Sequence, residues 1–286
     1  MEAERPVATG NWLYLYGIVR RSELDLAGVK GIEGGGDVFL VRGGELACAV
    51  SPVSRAEYNQ ETLTARAQQL DWIAPRAVRH QQVVQRLLAT GAVIPLKFGT
   101  LCSTTDDVRD ILLARQEPWL RLLEFLQGRE EWGVRIYADA NLTRQALEQE
   151  CSATDGVPPA SPGEAYFLKK KRQKLASERM VAHIAALDDQ IYGRLAPCAV
   201  DARKGSCQGS PPEEPSRLSV LKAALLMEQD RSAALEEIAG QLEADYREYG
   251  MVVELTGPWA PYSFCGGLDK APAGDGTARV PEPCGN

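Results

Sequence analysis

The spacing of apolar positions changes period several times along the chain, and each change marks an element. "NWLYLYGIVR" (Asn11 to Arg20) is rich in aromatic and β-branched residues behind Gly10, which predicts a buried strand. "DVFLV" and "ELACAV" flank the turn "RGG" and predict a hairpin in which Gly43 and Gly44 supply positive φ. From Glu61 to Thr90 the spacing is helical, with Leu70, Ile73, Ala77, His80, Val84 and Leu87 recurring every three or four residues. Pro75 lacks an N–H, so it should kink this helix or begin a new one. "AVIPLKFGT" (Ala92 to Thr100) reads as a short strand, with Pro95 at an edge or strand end. "STTDDVRDILL" then joins a cap, first-turn acids and an apolar face into a helix start. Pro118 interrupts that helix, which resumes to Gly128, and the region is expected to link two domains.

The second half predicts a strand over "EWGVRIYAD", a short helix over "LTRQALEQE", and a loop over "CSATDGVPPASPG". A long helix follows from Gly163 to Leu195. Strands over "PCAVDARKG" and "RLSVLKAALLM" come next, then a helix over "SAALEEIAGQLEADYREYG" and a last strand in "MVVELTG". In that strand Met251, Val253 and Leu255 share one face. Strand, helix, strand, strand, helix, strand is the order of a ferredoxin-like α+β sandwich, here with an extra helix after its first strand. The expected organisation is a strand-led N-terminal α+β domain with a linking helix (residues 10–128), a modified ferredoxin-like domain (129–264) and a flexible tail (265–286).

Composition narrows the function. A chain of 286 residues, 44% apolar and 25% charged, is ordinary globular material for two domains. Its formal net charge of −7 argues against general nucleic-acid binding, which depends on cations displacing counterions from phosphates. No apolar run is long enough to cross a bilayer and the start "MEAERPVATG" has no apolar signal core, so a cytoplasmic protein without membrane partners is expected. Seven scattered cysteines without a CxxC pair read as free thiols. The histidines, His80 and His183, lie far from them in sequence, so neither metal nor cofactor is expected.

Reactive motifs are scarce. There is no GxGxxG, Walker loop, HExxH or GxSxG, and "EGGGD" (Glu33 to Asp37) lacks the following helix that a phosphate cradle requires. Cys48 and Cys102 read as small buried residues in preference to nucleophiles. His80 falls on an apolar helical stripe and reads as a core-edge histidine with a hydrogen-bonded ring. The basic cluster Lys169, Lys170, Lys171 and Arg172 sweeps most of a helical turn, so one of its members must lean toward the apolar face. A solvated face explains the cluster, and a site for an acidic partner or RNA is the alternative. In "GPWAPYSF" the prolines stiffen the backbone around Trp259, Tyr262 and Phe264, which fits packing across a domain seam or an apolar anchor for a partner.

Four stretches in order, "YLYGIV", "VIPLKFGT", "GEAYFLKKK" and "ELTGPWAPYSF", resemble the landmarks of the gas vesicle GvpF/GvpL family. One departure is Ala260, where the family commonly has a second proline. The resemblance implies an accessory or minor structural protein of gas vesicles with two α+β domains, the second a modified ferredoxin-like fold. Its implied partners are the hydrophobic shell protein GvpA and other accessory Gvp proteins, and it implies no catalytic residues. On this view Lys97, Phe98, Trp259, Tyr262 and Phe264 are candidates for partner binding or for the domain seam. Trp259 and Tyr262 are expected chiefly to clamp the C-terminal segment, so truncating a buried Trp259 should cost roughly 3–5 kcal/mol. The rival class is an RNA- or nucleotide-binding regulator on a ferredoxin-like sheet.

Overall fold

The computed structural model describes residues 11–20, 24–66, 68–154, 161–206 and 216–265. The chain is a mixed helix and sheet protein that divides into two compact units. Of the described residues, one unit takes those up to Glu130 together with Trp259 to Cys265, and the other takes those between Glu131 and Pro258. Residues Trp259 to Phe264 thus group with the first unit and not with the second, which corrects the 129–264 boundary drawn from the sequence. The expected tail lies, apart from Cys265, outside the described residues.

The first unit is built on β1 (Asn11–Arg20), β2 (Phe39–Gly43), β3 (Leu46–Ser54), β4 (Val93–Pro95) and β5 (Leu101–Cys102). The sheet order is β2-β3-β1-β4, with β5 also on β1, and these pairings are antiparallel. Its helices are α1 (Gln60–Arg66), α2 (Leu70–Leu88), α3 (Thr105–Ala114) and α4 (Gln116–Leu126). Leu13 to Val19 of β1 are all buried, so this central strand has no solvent face and reads as a nearly continuous apolar run. Helix α2 presents Val83, Val84 and Leu87 to Tyr14, Tyr16 and Val19.

Several local expectations need correction here. Helix α2 does not begin at Pro75 but starts at Leu70 and continues through it to Leu88, giving up the single hydrogen bond that an N–H at 75 would make. Only Gly44 of the hairpin glycines has positive φ, at 60°. Gly43 is required for space, since a Cβ there would lie 2.8 Å from the Leu112 Cβ. Helix α3 starts as expected, with Thr104 Oγ1 accepting from the Asp107 N–H at 3.1 Å. Helices α3 and α4 are not a linker, however, because Val108, Leu112, Trp119, Leu123 and Leu126 are buried within this unit. Periodicity revealed their apolar faces without revealing that the first sheet was what those faces cover.

The second unit contains β6 (Arg129–Asp139), α5 (Ala140–Thr154), α6 (Pro162–Leu195), β7 (Asp201–Lys204), β8 (Arg217–Glu228), α7 (Ser232–Asp245) and β9 (Val252–Trp259). Its sheet order is β7-β8-β6-β9. The core joins Val134 and Ile136 of β6 to Leu187, Ile191 and Leu195 of α6, Leu221 and Leu225 of β8, and Leu235 and Leu242 of α7. Met251 is buried in this core with Val253 and Leu255 packed against it, the face that alternation assigned to them.

Gly17 lies where β4 and α2 close onto β1. A Cβ at this position would lie 2.9 Å from Val93 Cγ2, 3.2 Å from the Ile94 carbonyl oxygen and 3.3 Å from Leu87 Cδ1. Gly17→Ala should therefore destabilise the chain by about 1–3 kcal/mol through overpacking, measured as a lower urea midpoint at unchanged slope. An unchanged midpoint would mean that β4 and α2 yield there freely.

Candidate functional site

The polar tips of two tyrosines set the geometry of the first unit's interior. Tyr14 and Tyr16 are both fully buried, with ring centroids 4.9 Å apart. A buried phenol keeps its apolar ring in the core only if the hydroxyl finds a partner. The Tyr16 hydroxyl shares a 2.8 Å hydrogen bond with Ser51 Oγ and accepts the Ile32 N–H at 2.7 Å. Tyr14 accepts the Gly99 N–H at 3.0 Å and bonds His80 Nδ1 at 2.9 Å. Gly99 sits at φ +87°, a conformation that glycine adopts without the Cβ clash of other residues.

His80 continues the chain of bonds. Its Nε2 lies 3.0 Å from the hydroxyl of Tyr262, 182 residues further along the sequence. The imidazole stacks on Tyr16 at 5.7 Å and meets Phe98 edge-on at 5.9 Å. Strand β1, helix α2, the turn after β4 and the C-terminal segment therefore meet at one histidine.

The electrostatics hold the cluster neutral. Burial pushes His80 down to about 4, against a partial opposing pull from the Leu96 carbonyl. Burial also raises the Tyr16 phenol to about 12 and holds Tyr14 well above the usual tyrosine range. Near neutral pH the ring is uncharged and the hydroxyls keep their protons. The residues that bond or stack on His80 bring no carboxylate or nucleophile, so the arrangement suits fixed hydrogen bonding and offers no pair for acid–base catalysis. Cys48 and Cys102 are buried with their thiols pushed up by desolvation, the opposite of an activated nucleophile. Among the described residues no group of three or more His, Cys, Asp or Glu is placed to hold a metal ion. No helix among them is long and apolar enough to cross a membrane.

The residues singled out in the sequence separate into distinct settings. Ala260, Pro261 and Phe264 are buried and Tyr262 is half-buried on His80, all within the first unit. Trp259 is 40% exposed, which corrects the expectation of a buried tryptophan and moves the anchoring to the residues that follow it. Phe98 is 36% exposed while one edge of its ring reaches Tyr14 and His80. Lys97 is exposed, and its carbonyl accepts the Thr100 N–H and Oγ1 at 3.1 and 2.7 Å. Lys169, Lys170 and Lys171 are exposed on α6 and Arg172 is the half-buried member, so the cluster belongs to the second unit. Sequence reading missed Tyr14, Ser51 and Gly99 as parts of one network. The available signal was the pair of tyrosines in a fully apolar strand, whose hydroxyls had to be satisfied somewhere.

The family model for the gas vesicle synthesis protein GvpL/GvpF matches residues 12–266. The chain belongs to the GvpL/GvpF family. It is 30% identical over 269 residues to gas vesicle protein L of Streptomyces sp. (strain CB03234), covering 91% of this chain and 95% of that one. Gas vesicle protein F of the same strain is 28% identical over 88% of this chain and 98% of its own. Among solved structures, GvpF from Anabaena sp. PCC7120 is similar in fold, with a TM-score of 0.62 at 18% identity over 89% of this chain and 96% of that one. GvpF from Microcystis aeruginosa gives a TM-score of 0.53 at 20% identity over 89% and 98%. Three of the four stretches that carry the GvpL/GvpF resemblance contribute groups to the His80 network: Tyr14, Gly99 and Tyr262.

Two outcomes follow for stability. Tyr262→Phe should lower it by about 1–3 kcal/mol, because a buried ring nitrogen of His80 loses its partner. As pH falls, the unfolded chain protonates His80 near its ordinary 6.5 while the folded chain resists until about 4. The contribution of the neutral ring is therefore whole above about pH 6.5 and is lost progressively toward pH 4, in total roughly 3 kcal/mol. Denaturant unfolding of wild type and His80→Phe at successive pH values should show the wild type losing more over that window. Parallel pH dependences would contradict the assignment.

Proposed function

We propose that this GvpL/GvpF chain is a non-enzymatic accessory or minor structural protein of gas vesicles, which binds the hydrophobic GvpA-type shell protein in the cytoplasm and assists vesicle assembly. The observation that carries the reading is family membership over nearly the whole chain, joined to a buried centre whose titratable groups are held neutral. The strand order of the second unit, β7-β8-β6-β9 with helices between its first and second and its third and fourth strands in sequence, supports the ferredoxin-like description. Such a protein acts by covering surface. A shell subunit that exposes strand edges and apolar side chains aggregates unless a soluble partner pairs those edges or packs against that surface. Phe98 and Trp259 suit that contact, since each is partly exposed and belongs to a segment fixed at the His80 network.

Co-expression with a GvpA-type shell protein, followed by affinity capture and light scattering, tests this. The two proteins should co-purify with the shell protein kept soluble. Trp259→Ala and Phe98→Ala should weaken capture by about tenfold while leaving the melting temperature within a few degrees of wild type. A shell protein that precipitates while this chain elutes by itself would defeat the direct-binding reading.

A further inference from the structure

Helix α6 runs for 34 residues, Pro162–Leu195, and its two halves differ. The C-terminal half gives Leu187, Ile191 and Leu195 to the core of the second unit. The N-terminal half, from Tyr166 to Val181, buries only Ala176. With 3.6 residues per turn, positions 166, 167, 170, 171, 174, 177, 178 and 181 fall within one arc of about 140°. All eight are exposed. Tyr166, Phe167 and Val181 stand 65%, 69% and 79% exposed in this arc, and Lys170, Lys171 and Lys174 lie between them. The Lys170 ammonium sits 6.0 Å from the centre of the Tyr166 ring.

We propose that this outward face of α6 is a docking surface for an acidic, amphipathic protein segment, which places apolar side chains on Tyr166, Phe167 and Val181 and carboxylates on Lys170, Lys171 and Lys174. Charge complementarity selects that occupant. The chain as a whole carries −7, so a cluster of lysines on one face stands against its own background and attracts a partner rich in carboxylates. A lipid surface fits less well, because an interfacial helix buries a continuous apolar face, whereas here three apolar residues alternate with lysines and Glu178 shares the arc. Nucleic acid is disfavoured by the net charge and by Glu178, which already pairs with Lys174 at 3.9 Å. The surface lies in the second unit, apart from the residues of the His80 network, and does not depend on the shell-protein reading.

The test titrates the full chain against four labelled probes: a synthetic amphipathic peptide with glutamates flanking a Leu/Phe face, the same peptide with glutamine for glutamate, phosphatidylglycerol vesicles, and a single-stranded RNA. The glutamate peptide should bind, weaken with added salt, and lose at least about tenfold in affinity both with Lys170→Glu/Lys171→Glu/Lys174→Glu and with Phe167→Ser. These positions face solvent, so circular dichroism should be unchanged in both variants. Failure of the glutamate peptide to bind overturns the proposal, as does equal binding of the glutamine peptide. Lysine-dependent binding of the vesicles or RNA in its place, or self-association that Phe167→Ser abolishes, would also overturn it.

Discussion

A buried phenol must satisfy its hydroxyl, and in this protein that requirement fixes the C-terminal segment to the first unit. Tyr14 and Tyr16 contribute their full ring area to the core of the first unit, which is favourable only while their oxygens are bonded. The partners available inside one strand are already engaged in the sheet. The bonds therefore go to a side chain on β3, to backbone N–H groups in two turns and to His80 on α2. His80 in turn must satisfy a second ring nitrogen, and Tyr262 does so. Each bond is of ordinary strength, about 1 kcal/mol net, yet leaving any one unmade strands a buried polar atom at greater cost.

That arrangement accounts for the character of the surrounding sequence. Gly17 lets β4 and α2 close onto β1, and Gly99 turns its N–H toward Tyr14. Ala260 is fully buried in the same core, where a small residue fits. The histidine is neutral because its surroundings bring no charge to stabilise a cation, and desolvation decides the balance. A titratable residue with a strongly shifted pKa often marks a reactive site, but the partners here are two phenols and aromatic edges. Geometry assigns this shift to structure.

Much of the architecture was legible from period alone. The strand at Asn11–Arg20, the hairpin after it, the long helix to Leu195 and the alternation in Met251 to Leu255 all follow from which positions are apolar. Partners of those faces were not legible. The apolar faces of α3 and α4 looked the same whether they bridged domains or closed the first sheet, and only the tertiary arrangement separates the two. His80 was readable as a bonded core-edge histidine, whereas Tyr262 as its partner was not, because no local pattern links residues 182 positions apart. Trp259 misled for a related reason. Aromatic content and stiff prolines signal that something is anchored without saying which ring goes inside, and it is Phe264 and part of Tyr262 that do.

The stretches that carry the family resemblance thus divide into two kinds. "YLYGIV", "VIPLKFGT" and "GPWAPYSF" meet inside the first unit, where substituting their buried members threatens the fold before it touches any partner. "GEAYFLKKK" does the reverse. It belongs to a half-helix that commits only Ala176 to burial and presents aromatic rings with lysines to water, an arrangement that folding does not need. Tyr166 and Phe167, at 65% and 69% exposed, gain little burial in the free chain, and the proposed docking segment would supply it. On the function proposed above, the buried stretches set the scaffold, and the large apolar groups left outside it are the ones free to meet a partner.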